Sequence, residues 1–185
     1  MCTEIEAKLK VKSHKEIVKR LDELGAEFSS EQLQTDYYFD DADRTFTKSD
    51  RCLRVRRLLT GRMEKIFITY KGAKEKSEFK NRQEIESQVM DGDSAEKLLS
   101  ALGYEKVLVF EKKRRIWRLG GCEVALDELP VLGCFVEIEG PDEKKISNVQ
   151  RDLGLSDLPH IEKGYALLLE EKLRQLGKEE RELFL

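Results

Sequence analysis

The sequence is poor in the residues that build zinc sites and disulfide frameworks. It has four cysteines, at positions 2, 52, 122 and 134, and only two histidines. No cysteine pair has the CxxC spacing of a zinc site, so structural zinc is not expected. Each cysteine has apolar neighbours in the sequence, which favours buried free thiols in a reducing compartment.

Long apolar runs and linker-like segments are also missing from the sequence. No stretch approaches the ~20 apolar residues of a membrane helix, and Glu4 and Glu6 interrupt the beginning of the chain, which argues against a signal peptide. Only three prolines occur, and no low-complexity segment divides the chain. We therefore expect residues 1–185 to form a single domain of a cytoplasmic protein that does not bind membranes.

An excess of one charge sign is the third feature that the sequence lacks. It has 34 basic and 37 acidic residues and a formal net charge of −3. Because nucleic-acid-binding domains usually carry a strongly basic face, nucleic-acid binding is disfavoured. What the sequence has instead is a high total of charged residues, 38%, against the roughly 25% of ordinary domains. The position of these charges within predicted strands is therefore the informative feature.

Eight segments have the residue pattern of β-strands. In residues 4–11, Glu4, Glu6 and Lys8 alternate with apolar residues, which is the period of two that a strand requires. The other predicted strands are 35–40, 51–58, 65–71, 81–89, 107–118, 121–127 and 133–140. Eight strands are a natural number for a small closed barrel.

Four helices are expected between and after these strands. Residues 13–25 begin with the capping-box spacing of Ser13 and Glu16 and continue with helical periodicity. The other predicted helices lie near 94–102, at about 142–153 and, at the C-terminal end, at about 162–176. The apolar residues at 183–185 form either a disordered tail, which is the preferred interpretation, or a contact with a neighbouring subunit.

Two arrangements of the charged strand faces are possible. In an ordinary antiparallel sheet the polar face contacts water. Here, however, some strands carry Glu-x-Glu and others Arg-x-Arg or Lys-x-Arg, and the apolar stripes of the predicted helices need a partner. If the helices cover the outside, the sequence predicts an α+β fold: a closed eight-stranded antiparallel β-barrel, or tunnel, with a charged lumen and helices packed outside.

A lumen with both charge signs suits a particular chemistry. Arginine and lysine bind phosphate oxygens, and arginine does so as a bidentate fork. Clustered carboxylates suit a hard cation such as Mg²⁺ or Mn²⁺, which keeps several waters and bridges to phosphate. The combination predicts a site for a divalent metal and a triphosphate.

The opening segment EIEAKLKV has the ExExK pattern and resembles the CYTH, or triphosphate tunnel metalloenzyme, superfamily. Its members include class IV adenylate cyclases, thiamine triphosphatases and inorganic triphosphatases. The resemblance covers nearly the whole chain, because seven further segments follow in the order of the family. These are TDYYFD (35–40), LRVRR (53–57), TYKG (69–72), RQEIE (82–86), EKKRR (111–115), ALDELPVLGCFVEIEG (125–140) and KGYALLL (163–169).

The resemblance implies roles for individual residues. The implied ligands of Mg²⁺ or Mn²⁺ are Glu4, Glu6, Asp127, Glu137 and Glu139. The implied triphosphate-binding residues are Lys8, Arg54, Arg56, Lys71, Lys112 and Arg114, of which Lys8, Arg56 and Lys71 are expected to be catalytic. Glu84 and Glu86 contribute either to the metal site or to ion pairs with Arg82 or Arg54.

The TDYYFD segment and the chain length are most similar to the class IV adenylate cyclase branch, which implies conversion of ATP to cyclic AMP and pyrophosphate. The alternatives are a triphosphatase acting on thiamine triphosphate or inorganic tripolyphosphate, and a non-catalytic polyphosphate-binding module. Gly164 departs from the cyclase branch, which tends to have serine before the tyrosine of this late helix. The expected partner is a small-molecule triphosphate, and both a monomer and a homodimer are compatible with the sequence.

Overall fold

The computed structural model describes residues 2–73 and 80–185, and the side chains of residues 2–4, 80 and 81 lie outside that description. The strands are β1 (Cys2–Lys10), β2 (Glu27–Asp40), β3 (Cys52–Thr60), β4 (Met63–Lys71), β5 (Lys80–Val89), β6 (Glu105–Leu119), β7 (Cys122–Leu129), β8 (Gly133–Glu139) and β9 (Glu182–Leu183). The helices are α1 (Lys15–Glu23), α2 (Thr45–Lys48), α3 (Gly92–Ala101), α4 (Glu143–Asp152) and α5 (Tyr165–Gln175). In these two ranges, no helix is long and apolar enough to cross a membrane.

The fold is α+β, with eight antiparallel strands in one strongly curled sheet. Their order is β2-β3-β4-β5-β1-β8-β7-β6, and β2 also pairs with β6. The eight strands predicted from the sequence are confirmed. Strand β2 begins at Glu27, eight residues earlier than predicted. Residues 27–34 have few alternating apolar residues, so their sequence does not indicate a strand. Pairing with β6 holds them in the sheet.

The two-residue turn between β6 and β7 sets the register of the basic and acidic strands. Gly120 and Gly121 both have positive φ, 60° and 79°, and left-handed residues at both turn positions match the twist of a two-residue hairpin. Pairing of Leu119 with Cys122 then brings Arg114 opposite Asp127.

The apolar strand faces pack against helices outside the sheet, as the sequence predicted. Leu9 of β1 and Val136 of β8 belong to one buried cluster with Leu21 of α1 and Ile146 of α4. Helix α3 covers β3 in the same way, where Val55 is buried beside Leu99. Complete burial of each such side chain contributes ~1.5–3 kcal/mol, so the charged residues that alternate with them must face inward.

Helix α5 corrects the expectation that every helix packs on the outside. Its buried residues Tyr165, Leu169 and Leu173 form a cluster with Phe110 of β6 and Phe135 of β8. These two phenylalanines share the charged face of the sheet, because they lie opposite Asp36 and Asp127, respectively. Helix α5 therefore contacts the inner face.

The physical reason lies in the mixed inner face of β6. Lys112 and Arg114 share that face with the apolar residues Leu108 and Phe110. The apolar part of the face needs a partner that excludes water, and the apolar stripe of α5 provides it.

The C-terminal residues also differ from the expectation of a disordered tail. Strand β9 pairs in parallel with β6, and Leu183 is buried against it. The Val109 amide donates a hydrogen bond of 2.7 Å to the carbonyl oxygen of Arg181. The end of the chain is thus held by its own sheet.

Candidate active site

The charged inner face of the sheet surrounds a cavity of about 870 Å³, here called the central cavity. All six basic residues predicted to bind a triphosphate line it, namely Lys8, Arg54, Arg56, Lys71, Lys112 and Arg114. Three of the predicted metal ligands, Glu6, Glu137 and Glu139, also line it. Asp127 is completely buried behind Arg114, and the Glu4 side chain lies outside the described residues.

Asp36 organises the two arginines of β3, and the sequence analysis did not identify it as a site residue. Its carboxylate accepts two hydrogen bonds from the Arg56 guanidinium, of 2.6 and 2.7 Å, and a longer one of 3.5 Å from Arg54. Burial alone would raise the pKa of Asp36, but the charges of Arg56 and Arg54 outweigh it and hold the pKa well below its usual range. Such a bidentate contact fixes the plane of the Arg56 guanidinium.

Arg54 and Lys71 also contact acidic residues of β5. The Thr69 hydroxyl accepts a hydrogen bond of 3.3 Å from Arg54 and donates one of 2.8 Å to Glu86. Lys71 forms an ion pair of 2.7 Å with Glu84. Glu84 and Glu86 thus take part in ion pairs, one of the two roles considered from the sequence. The Arg54 Nε atom is buried without a hydrogen-bond partner among the described residues.

Asp127 is the centre of a second buried network. It accepts hydrogen bonds from Arg114 at 2.7 Å and Lys112 at 3.2 Å. The Tyr165 hydroxyl of α5 donates a third, of 2.9 Å. Burial would raise the pKa of Asp127, but the positive charges of Arg114 and Lys112 lower it overall. Tyr165, like Asp36, is a residue that the sequence analysis did not identify as part of the site.

Lys8 lies between this network and α5. Its ammonium group is 3.1 Å from Glu137 and 3.8 Å from the centre of the Tyr165 ring. Glu137 also accepts a hydrogen bond from Arg114. Three bases and two carboxylates therefore share one connected network across β1, β6, β7 and β8.

Lys112 has an unusual proton affinity in this network. Burial is the largest cause and, with the neighbouring charge of Arg114, lowers the lysine pKa to about 7, although Asp127 acts in the opposite direction. A bound anion would act in the same direction as Asp127 and favour the charged form of the lysine.

We expect the stability contribution of Lys112 to depend on pH. Its pKa is about 7 in the folded protein and 10.5 as an ordinary lysine, so folding releases a proton between these pH values. The contribution of Lys112 to the free energy of unfolding is fully present above pH 10.5. It falls, by up to about 1.4 kcal/mol per pH unit, as the pH decreases from 10.5 to about 7. Denaturant unfolding of the wild type and Lys112→Gln across this window measures it. A constant difference between the two proteins would show that the pKa is not lowered.

Glu6 and Glu139, on β1 and β8, are the candidate ligands for a divalent cation that line the cavity without contacting Arg114. Within residues 2–73 and 80–185, no group of three histidine, cysteine or carboxylate side chains is arranged to hold a metal ion. Glu6 and Glu139 nevertheless lie directly opposite each other on β1 and β8, and Glu4 is two positions earlier on β1. Because Mg²⁺ and Mn²⁺ take a few carboxylate oxygens and complete their shell with water and phosphate, this donor set fits them.

The segment between β2 and β3 and helix α5 line one part of the central cavity. Phe46, Thr47 and Arg51 of that segment line the cavity, and so do Ala166 and Leu167 of α5. We call these five residues the mouth.

The two sides of the mouth are joined by an ion pair. Arg44 donates a hydrogen bond of 2.7 Å to Glu170 of α5. Nothing in the local sequence indicates this pair, because 126 residues separate its members.

The curled antiparallel sheet and its charged inner face agree with the family resemblance found in the sequence. Residues 3–165 match the family model of the CYTH domain, and the chain belongs to this family. It is 31% identical over 173 residues to a Methanocaldococcus jannaschii protein named "putative adenylate cyclase", covering 93% of this chain and 94% of that protein.

Solved structures have the same fold. A protein from Pyrococcus horikoshii has a TM-score of 0.80 and 31% identity, covering 91% of this chain and 99% of that one. A "putative adenylyl cyclase" from Hippeastrum, described as having a dominant triphosphatase activity, has a TM-score of 0.69 and 18% identity, covering 95% and 96%. At 18% identity, the similarity to the Hippeastrum protein shows only that the two chains share a fold.

Proposed function

We propose that this protein is a divalent-metal-dependent enzyme that acts on triphosphates, and that its reaction converts ATP to cyclic AMP and pyrophosphate. The observation that carries the proposal is the convergence of six basic side chains, from β1, β3, β4 and β6, on one cavity. Buried carboxylates such as Asp36 and Asp127 compensate part of this charge, since each uncompensated buried ion costs several kcal/mol. The guanidinium and ammonium donors that these carboxylates leave unused suit the oxygens of a triphosphate.

We further propose that the curled sheet closes into a tunnel around this anion. Support comes from β2, which pairs with β3 on one side and with β6 on the other, so that the strand pairings return to their starting point. In a closed sheet the bases of opposite strands face each other across the lumen, which allows them to bind phosphates from several sides.

The carboxylates that contact these bases orient them for the anion. Asp36 fixes Arg56, Glu84 holds Lys71, and Glu137 holds Lys8. Because the guanidinium and ammonium groups have donors beyond those used in these contacts, they can bind phosphate oxygens without rearrangement of the backbone. Each charge-assisted hydrogen bond is worth ~1.5–3 kcal/mol.

Glu6 and Glu139, with Glu4, are proposed to hold Mg²⁺ or Mn²⁺. The cation would neutralise charge on the phosphate oxygens when bound. Asp127 and Glu137 were also implied as metal ligands by the family resemblance, but both accept hydrogen bonds from Arg114 in this structure. They could bind a metal ion only if Arg114 exchanged its hydrogen bonds with these two carboxylates for hydrogen bonds with the substrate.

The chain's own residues contribute positioning and charge stabilisation to the cyclase reaction. The ribose 3′-hydroxyl gives up its proton to solvent and attacks the α-phosphorus. The bond from the α-phosphorus to the bridging oxygen breaks, and pyrophosphate leaves with its growing charge beside Lys8, Arg56 and Lys71. These three are the proposed catalytic residues. Phosphoryl transfer depends mainly on such positioning and electrostatics, so no covalent nucleophile is required.

The lining of the central cavity suits a nucleoside triphosphate better than a bare polyphosphate. The cavity volume of about 870 Å³ is near the upper end of the range for small-molecule sites. Phe46, Val107 and Leu108 line it alongside the charged residues, and such apolar groups suit a base and ribose. The name of the Methanocaldococcus jannaschii relative supports the same reaction.

Triphosphate hydrolysis is the second candidate function. The Hippeastrum protein has this fold and is described as dominantly a triphosphatase, so the fold is compatible with attack by water on the terminal phosphorus. Thiamine triphosphate or tripolyphosphate would then be the substrate. Gly164, which lines the cavity and precedes α5, offers no side chain to either reaction.

The distinguishing experiment incubates the protein with Mg²⁺ or Mn²⁺ and, separately, ATP, thiamine triphosphate and tripolyphosphate. Cyclic AMP with pyrophosphate identifies the cyclase, and orthophosphate identifies the hydrolase. Tight binding without any product would reject both and leave a polyphosphate-binding module.

Arg56→Gln is expected to weaken triphosphate binding by about 10- to 150-fold, the equivalent of ~1.5–3 kcal/mol. The neighbouring Arg57→Gln is the matched control, because Arg57 forms an ion pair with Asp93 of α3 outside the sheet. Isothermal titration with tripolyphosphate measures both affinities. Equal affinities in the two variants would show that Arg56 does not contact the triphosphate.

A further inference from the structure

A second cavity, of about 260 Å³, shares the lining residue Glu170 with the central cavity. It is lined by Arg44, Glu170, Leu173, Arg174, Lys178, Glu179 and Arg181. We propose that this second cavity binds a phosphate or pyrophosphate anion, and that its occupancy lowers the affinity of the central cavity for a triphosphate. The anion site stands independently of the proposed function, whereas the coupling rests on it.

The charge of the second cavity favours an anion. Four of its seven lining residues are basic and two are acidic. Across residues 2–73 and 80–185, neither Arg174 nor Arg181 has a carboxylate within ion-pair distance, whereas Arg44 is paired with Glu170 and Lys178 with Glu180. Two guanidinium groups with unused donors therefore line the cavity, and such groups bind phosphate oxygens bidentately.

A purely structural explanation accounts for only part of this cluster. Basic residues near the C-terminal end of a helix interact favourably with the helix dipole, which is sufficient for Arg174 in the last turn of α5. It does not explain Arg44, which comes from the segment before α2, or Arg181, which comes from the segment before β9. Three separate parts of the chain contribute bases to one cavity.

Glu170 connects the two cavities, because it lines both of them. Its partner Arg44 has a left-handed backbone, with φ of 58°, a conformation that a non-glycine residue keeps only when its surroundings hold it there. The Arg44 amide donates a hydrogen bond of 2.9 Å to the carbonyl oxygen of Asp41, and Asp40 binds the amides of Phe46 and Thr47. Arg44 is therefore fixed at the boundary between the cavities.

An anion in the second cavity would compete with Glu170 for Arg44. Glu170 would then lose its positive partner while still lining the central cavity, where a triphosphate must bind. Repulsion between this carboxylate and the triphosphate lowers the affinity of the central cavity for the triphosphate. By linkage, a bound triphosphate lowers the affinity of the second cavity for its anion by the same factor. The coupling expected for such linked sites is at least about fivefold.

The binding test uses the ¹⁵N-labelled full chain, titrated with inorganic phosphate and with pyrophosphate at constant ionic strength. Backbone amides in residues 173–182 should shift in a saturable way in the wild type and in Arg151→Gln, a control on α4. They should not shift in Arg174→Gln/Arg181→Gln. Saturable shifts that persist in that double variant, or that chloride produces equally, would overturn the site. Comparison of the two anions identifies which is the better ligand.

The coupling test measures the affinity for tripolyphosphate as phosphate is increased. Direct competition in the central cavity raises the apparent Kd without limit, whereas a coupled second site adds a rise that reaches a plateau. The plateau component should be present in the wild type and absent from Arg174→Gln/Arg181→Gln. Identical curves would overturn the coupling. Failure of tripolyphosphate to bind the wild type would instead overturn the proposed function, with the amide shifts of residues 173–182 still reporting the anion site.

Discussion

Asp36→Asn is expected to destabilise the protein by ~3–5 kcal/mol, the usual cost of removing one partner from a buried ion network. The Asp36 carboxylate is 1% exposed and contacts both Arg54 and Arg56. Without its charge, two buried guanidinium groups lose their main counterion and Arg56 loses its bidentate contact. Tripolyphosphate affinity should fall as well, by at least about tenfold, because the arginines are no longer held in position.

Denaturant unfolding and isothermal titration measure the two effects of Asp36→Asn. The control is Asp93→Asn, which removes an exposed carboxylate from the ion pair with Arg57 and should cost no more than ~1 kcal/mol. Wild-type stability and affinity in Asp36→Asn would show that the arginines are positioned by other groups.

Acid unfolding offers an independent check on the same residue. The folded pKa of Asp36 lies below its ordinary value of 3.8, so its stabilisation is complete above that value and is lost as pH falls below it. The Asn variant should lack this part of the acid dependence. An acid-unfolding profile parallel to that of the wild type would contradict the ion network.

Glu6→Gln and Glu139→Gln are each expected to abolish metal-dependent turnover. Loss of a direct metal ligand should exceed the 10- to 100-fold cost of losing a supporting residue. Glutamine keeps the shape of the side chain and removes one of two negative charges that face each other across β1 and β8, so the fold should be retained.

Metal binding can be measured for these variants without any activity assay. Mn²⁺ should raise the melting temperature of the wild type, because a ligand that binds only the folded state stabilises it. It should not do so in Glu6→Gln or Glu139→Gln. The control is Glu128→Gln, an exposed carboxylate on β7 beside Asp127. Full metal-stimulated turnover in Glu6→Gln would exclude that residue as a ligand.

Much of the inner face could be predicted from the period of two along each strand. Arg54 and Arg56 alternate with Val55, and the apolar residue packs against α3 while the arginines line the cavity. Any strand with one apolar and one charged face has only two orientations, and the apolar stripes of α1, α3 and α4 select one of them. That choice places the charged faces inward, whereas the six individual triphosphate-binding residues were implied by the family resemblance.

Asp36 and Tyr165 could not be predicted in the same way. Asp36 lies in a segment whose aromatic residues suggest ordinary core, and only its register opposite Arg56 reveals its role. Tyr165 looks like the first residue of an external helix, yet its hydroxyl reaches Asp127, 38 residues earlier in the chain. A sequence pattern reports the face of a residue, not its partner on another element.

The sequence by itself determined the strands, the orientation of their charged faces and the family to which the chain belongs. These features depend on local periodicity and on motifs in a fixed order, both of which are present in the linear chain. Only the tertiary structure decided which carboxylate holds which base, the inward packing of α5, the docking of β9 and the Arg44–Glu170 contact. Those features depend on the register and curvature of the sheet, which bring together residues far apart in sequence.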